Sequence, residues 1–207
     1  MTEQEKMLKG MIYDPSDEEL VRKRIKAHLL SKAFNDTPED DEEKRSEILN
    51  QLIPHMGEGT ALNSPIAFDY GIFTSFGTNC FANFNFTVLD CCPVTIGNDV
   101  FFGPNCSLYT PIHPLLAEER KIRRKADGTL YDLEYAAPIT IEDGCWIAGG
   151  VTICGGVTIG KDSVIGAGSV VTRDIPSGVF AAGNPCRVIR DITENDSIYK
   201  KDSLFEK

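Results

Sequence analysis

Ile139 to Asp174 reads ITIEDG CWIAGG VTICGG VTIGKD SVIGAG SVVTRD, six consecutive blocks of six residues. Ile141, Ile147, Ile153, Ile159, Ile165 and Val171 hold one unchanging place in the block. A period of six fits neither the helical turn of about 3.6 residues nor the simple alternation of a long strand. It fits short strands joined by regular corners, because the remaining positions are rich in Gly, Asp and Ala, which suit a backbone that turns every few residues. Repetition at a fixed short period identifies a solenoid. A β-sandwich of short strands is the competing architecture, but its strands recur at roughly 8–12 residues and nothing holds them to a strict six.

The same beat runs earlier through VTIGND VFFGPN CSLYTP, from Val94 to Pro111, with Ile96, Phe102 and Leu108 in the repeated place. A weaker version passes through Phe76, Ala82 and Val88 and slips by two residues between Asp90 and Val94. Three hexads make one triangular coil of 18 residues, so 74–91, 94–111 and 139–174 predict about four coils. Each edge stacks one apolar side chain inward at a spacing of about 4.8 Å. Residues on either side of that place alternate outward, which puts Phe101, Trp146 and Val164 on an apolar outer surface that another copy of the chain could cover.

One long excursion interrupts the array, from Ile112 to Ala137. A polar loop of that length adds little closure entropy, contributes no repeating core, and is often functional. Of the three histidines, His28 lies in a charged helical stretch and His55 follows Pro54, whereas His113 stands at the mouth of the excursion. Its imidazole could simply cap the rung or pack on Pro114; it is equally suited to accept a hydroxyl proton near neutral pH.

Residues 1–60 read as a small helical segment, 61–192 as the solenoid and 193–207 as a tail. Ser16 and Glu19 have capping-box spacing before a helix from Glu18 to Phe34 that carries Leu20, Ile25, Leu29 and Leu30 as an apolar stripe. Thr37 with Pro38 in the first turn predicts a second helix through Ile48, Leu49 and Leu52, stopped by Pro54.

The chain has 207 residues, 42% of them hydrophobic, and a net charge of -10 from 31 acidic and 21 basic side chains. That composition excludes wholesale disorder and a collagen repeat, and the acidic balance argues against nucleic-acid backbones as partners. The start lacks a signal-peptide pattern and no stretch is apolar enough to span a bilayer, so a cytoplasmic protein with small-molecule ligands and no membrane partner is expected. Seven cysteines show no CxxC or other metal spacing and are expected as reduced thiols. Those in repeat positions, Cys80, Cys106 and Cys145, read as small buried hydrophobes, while Cys91 or Cys92 offers a competing nucleophilic chemistry.

The array resembles the hexapeptide-repeat acyltransferases. Over roughly residues 5–192, EKMLKGMIYDPSDEELVRKR, FANFNFTVLD and VIGAGSVVTRDIPSGVFAAGNPCRVIR together resemble the maltose and galactoside O-acetyltransferases. The resemblance implies an all-β solenoid, a left-handed parallel β-helix with a small N-terminal helical segment. It also implies a homotrimer with active sites between subunits, in which acetyl passes from acetyl-CoA to a sugar hydroxyl. In TPIHPL it makes His113 the general base, and in LEYAAPITI it sets Glu134 against the imidazole. It gives Asp14, Asp69 and Asn83 to the acceptor, and Trp146, Gly149, Ala167, Thr172, Arg173, Arg187 and Arg190 to the cofactor. Asn83, like Asn85, could instead be no more than a coil corner. In LDCCPV, Cys91 replaces a second aspartate of the galactoside enzymes, which tilts the expected acceptor toward maltose or glucose. A galactoside or xenobiotic acetyltransferase and a non-enzymatic structural trimer are the other readings. No metal is expected, because the zinc chemistry of the β-helical carbonic anhydrases needs three histidines and the repeat region holds only His113.

Overall fold

The computed structural model describes residues 1–204. Its strands stack in parallel on three faces of a prism, and their register explains the slip in the repeats. Toward the N-terminus each rung pairs with the rung twenty residues on, Met56 with Phe76 and Phe76 with Ile96. After the excursion the pairing tightens to eighteen, Ile141 with Ile159 and Ile147 with Ile165. The wider coils enclose more space and fill it with larger side chains. Phe68, Phe76 and Phe102 all pack around Phe86, the last at 4.8 Å between ring centres. The tighter coils are filled by Ile141, Ile147, Ile153, Ile159, Ile165 and Val171, each fully buried. Burying one such side chain contributes about 1.5–3 kcal/mol, and the ladder repeats that gain at every edge.

The corners use the residues that tolerate left-handed backbone: Asn79, Asn85, Asp99, Asn105 and Asp162 all have φ between 55° and 61°. Of the two asparagines between the strands Phe81–Ala82 and Phe86–Leu89, Asn85 takes the left-handed conformation and Asn83 does not.

The solenoid begins one coil earlier than the hexads reveal. Strands His55–Met56, Ala61–Leu62 and Ile66–Phe68 form a first coil beneath 74–89, so five coils are present. At the far end Val179–Ala182 continues the second face and Arg187–Asp191 folds back on it antiparallel.

Three helices cap the N-terminal end: α1 (Glu3–Leu8), α2 (Glu18–Asp36) and α3 (Glu42–Leu52). The first was not anticipated, although Thr2 and Glu5 form its capping box. For α2 the cap is Asp17, which accepts from the Glu19 and Leu20 amides, while Ser16 is turned away to bond Asp14. The expected start of α3 at Thr37 is also corrected. The Thr37 hydroxyl donates back to the Ala33 carbonyl and closes α2, and Asp41 caps α3 by accepting from the Lys44 amide. The buried stripe of α2 is Leu20, Ala27 and Phe34, at heptad spacing; Ile25 and Leu29 face outward. Asn35 exchanges two hydrogen bonds with the Ile66 backbone. Arg45 stacks on Phe34 at 4.0 Å and donates to the Leu62 carbonyl, which fixes the cap to the first coil.

Among the described residues no helix is long and apolar enough to cross a membrane.

Candidate active site

The excursion leaves the prism where the third face, ending at Ser107–Tyr109, would turn into the first. Pro111–Ile112 and Tyr135–Ala136 pair antiparallel and form its neck. Within it Arg123–Arg124 and Leu130–Tyr131 make a small hairpin. Lys125 carries this hairpin back to the cap: its ammonium pairs with Asp14 and lies 5.6 Å from the Tyr131 ring centre. A cleft of about 640 Å³ lies between hairpin, cap and solenoid, a size suited to a small organic ligand. Val21, Arg24 and His28 of α2 form one wall, Ile122, Leu130 and Tyr131 another, and Asp69, Cys91 and Glu134 line it from the solenoid side.

His113 stands beside this cleft with its side chain half exposed. Its Nδ1 is 3.5 Å from Asp132 Oδ2, and the ligand-type atoms of His113, Asp132 and Glu134 lie within 4.8 Å of one another. Such a set has the donors to chelate a divalent cation, but it is equally an imidazole flanked by two acids, and nothing else in the site calls for a metal. Glu134 is held by the cap. The Tyr13 hydroxyl donates to its carboxylate and the Tyr13 amide donates to its carbonyl at 3.1 Å. Burial pushes the Glu134 carboxyl up from its ordinary value, against the Tyr13 hydrogen bond and the nearby His113, which favour the charged form.

Asp69 faces the same cleft, with His28 Nε2 3.6 Å from one oxygen and the Cys91 thiol donating toward the other at 3.8 Å. Both contacts are weak, so the carboxylate is available as an acceptor. Asp14 differs. One oxygen accepts from the Ser16 amide and hydroxyl, and the other meets Lys125. Although partial burial works the other way, these donors hold its carboxyl below the usual range. Cys91 and Cys92 are buried, and burial pushes both thiols up, away from the thiolate that nucleophilic catalysis needs.

Asn83 lies elsewhere, in a groove with Phe81, Phe101, Gly103 and Trp146 on the second face. The outward column of that face is Ala61, Phe81, Phe101, Trp146, Val164 and Phe180, register by register. The matching column on the first face is Ser75, Thr95, Thr140 and Thr158. Trp146 and Phe101 are about half exposed. Gly149 lies in the corner after this face's strand Trp146–Ile147, where successive coils stack closely: a Cβ on Gly103 would lie 2.4 Å from the Gly149 amide. Ala167, Thr172 and Arg173 are exposed on the last coil. Arg187 and Arg190 are exposed on the returning strand, and Arg190 forms a two-pronged pair with Asp196 at 2.7 and 2.6 Å.

The structure therefore brings Glu134 and Asp69 to one cleft with His113 beside it, leaves Asp14 at its edge, and sets Asn83 with Trp146 on the second face, while Thr172 and Arg173 follow the third-face strand Val170–Val171, at the corner from which the excursion leaves. Sequence reasoning missed Asp132, Tyr13, Arg24 and His28. In the sequence His28 reads only as part of a charged helix, and the docking of α2 brings it to Asp69.

Comparison with known proteins agrees with this architecture. Residues 6–57 match the maltose acetyltransferase hexapeptide capping motif, 93–113 the hexapeptide repeat of succinyl-transferase, and 138–173 the bacterial transferase hexapeptide of six repeats. The galactoside O-acetyltransferase of Escherichia coli K12 is 40% identical over 94% of this chain and 92% of its own. A crystal structure of a maltose O-acetyltransferase from Clostridium difficile 630 superposes with a TM-score of 0.86 at 46% identity, covering 94% of this chain and 99% of the other. A galactoside acetyltransferase in complex with coenzyme A gives 0.87 at 40% identity, covering 95% and 94%. A helically capped β-solenoid with one looped-out site is thus an acyltransferase scaffold, and acetyl-CoA is its acyl donor. Within that class the chain belongs to the maltose and galactoside type of hexapeptide-repeat acetyltransferases.

Proposed function

We propose that the protein transfers acetyl from acetyl-CoA to a hydroxyl of maltose or glucose by direct attack, with His113 as general base. The observation that carries the reading is the imidazole set between Asp132 and Glu134 at the edge of a sugar-sized cleft. His113 takes the proton of the acceptor hydroxyl as its oxygen attacks the thioester carbonyl, and the imidazolium returns that proton to the departing thiolate. The nearby carboxylates stabilise the imidazolium. No acyl-enzyme forms, in keeping with the buried, high-pKa Cys91 and Cys92. Asp69 accepts hydrogen bonds from sugar hydroxyls, and Asp14 joins it from the cleft edge when Lys125 gives way. Cys91, in place of a strong acceptor, favours a maltose or glucose acceptor over a galactoside.

When bound, acetyl-CoA supplies the acyl group as a reactive thioester. The second face fits such a ligand on two counts, an exposed aromatic column for its apolar arm and exposed arginines for its phosphates. Trp146, Gly149 and Ala167 flank the arm from this face, Thr172 and Arg173 reach it from the His113 corner of the neighbouring copy, and Arg187 and Arg190 meet the phosphates. Within one chain this face lies opposite the prism corner from which His113 emerges. The site is therefore completed between copies, with His113 of one subunit facing the Asn83 and Trp146 groove of its neighbour in a homotrimer. The aromatic column is the surface so covered.

The test is release of free coenzyme A with a panel of maltose, glucose, a β-galactoside and alkyl glycosides. His113→Ala is expected to lower kcat by about 10²–10⁴-fold with acetyl-CoA binding retained. Wild-type turnover in that variant at saturating substrates would reject the base assignment.

A further inference from the structure

We infer that Asp132 is the positioning residue for the His113 ring: its carboxylate holds Nδ1 and so presents Nε2 to the acceptor hydroxyl. This rests on the base assignment proposed above for His113. Two acids flank the imidazole, but they are differently employed. Glu134 is tied at its carboxylate by the Tyr13 hydroxyl and at its backbone by the Tyr13 amide. Asp132 has its ionic contact with His113 Nδ1, at 3.5 Å, and its own side chain is only 22% exposed. Residues 132 and 134 are two apart on the chain leading into the neck strand Tyr135–Ala136, and both carboxylates come within 4.8 Å of a His113 ring nitrogen.

The placement of Asp132 is built in. It directly follows the hairpin strand Leu130–Tyr131, which is paired to Arg123–Arg124 and fastened to the cap through Lys125 and Asp14. Solenoid and hairpin thus hold the two partners from opposite sides. A neutral imidazole carries its proton on one nitrogen only. A carboxylate at Nδ1 keeps the proton there and leaves the Nε2 lone pair free, and it steadies the imidazolium that forms when the hydroxyl is deprotonated. At 3.5 Å the contact is looser than a formed hydrogen bond, as catalytic hydrogen bonds commonly are before substrates arrive.

Asp132→Asn keeps the shape and removes the charge. Expected is a fall in kcat of about tenfold or more, part of the 10²–10⁴-fold that a general base supplies, with KM for sugar and acetyl-CoA and the melting temperature unchanged. Asp132→Glu should recover part of the loss. Nitrogen-15 spectra of the His113 ring, identified by its absence in His113→Ala, should show the Nδ1–H tautomer in wild type and a tautomer mixture in Asp132→Asn. In the His113→Ala background, Asp132→Asn should cost nothing more. Wild-type kcat in Asp132→Asn, an unaltered tautomer, or a full additional loss in the double variant would each overturn the inference. Should His113→Ala retain full turnover, the base assignment fails by itself, and the tautomer spectra still decide whether Asp132 sets the ring.

Discussion

Replacing Tyr13 by Phe removes one oxygen from the centre of the cap and exposes how the site is charged. In the structure the Tyr13 hydroxyl donates to the Glu134 carboxylate, and both groups are largely buried. Burial holds the Glu134 carboxyl above its ordinary value, so the charged form is penalised more in the folded chain than in the unfolded one. By linkage, the stability tied to this group is full below the unfolded value of about 4.3 and is lost as pH rises through the raised folded value. The Tyr13 hydroxyl limits that loss, because it bonds the charged form. Without it the folded value moves higher still, and at pH 8 a buried carboxylate lacks its donor. A hydrogen bond to a charged group contributes about 1.5–3 kcal/mol, which for a chain of this size corresponds to a fall in Tm of about 3–12 °C. At pH 4, below the ordinary value of about 4.3 and so further below the raised one, protonated Glu134 needs the donor less and the fall should be smaller. Thermal unfolding of both proteins at the two pH values and one fixed protein concentration measures the difference. An equal fall at both values would refute the charged, Tyr13-bonded Glu134 described above.

Two further substitutions probe the second face. Asp196→Asn releases Arg190, whose pairing holds the Asp196 carboxyl down to about 2; calorimetric affinity for coenzyme A should rise severalfold, and unchanged affinity would count against Arg190 as a phosphate ligand. Trp146→Asp puts a charge in the middle of the aromatic column, and covering it unpaired costs several kcal/mol. Sedimentation should then show monomers with little activity, whereas a wild-type protein that already sediments as a monomer would contradict assembly through this face.

The solenoid was legible because each edge of each coil makes the same demand. Ile141, Ile147 and Ile153 occupy equivalent places, so one apolar position recurs with nothing between to blur it. The coil at 55–68 was not, since Met56, Leu62 and Phe68 keep the six-residue spacing only within that one coil and the corners between them are filled by polar and turn residues that show no repeated hexad. In α2, Ile25 and Leu29 drew attention by hydrophobicity, yet the packed stripe runs through small Ala27, whose size lets the helix approach the coil. His113 was found by its place at the mouth of the loop. Asp132 looked like any solvated loop acid; its meeting with His113 depends on a hairpin fastened by a lysine from the same loop to an aspartate near the chain's start, which no local pattern encodes.

The second face also works as a ruler. Phe81, beside Asn83, and Phe180, paired with Arg190, lie four rungs apart, or about 19 Å at the strand spacing of a sheet. Rungs are discrete, so that separation changes only in steps of about 5 Å, each a whole turn of the prism. For the cofactor path proposed above, the number of turns between Phe81 and Phe180 sets the reach that the bound molecule must have. Losing a turn would leave a folded prism with its two ends out of gauge.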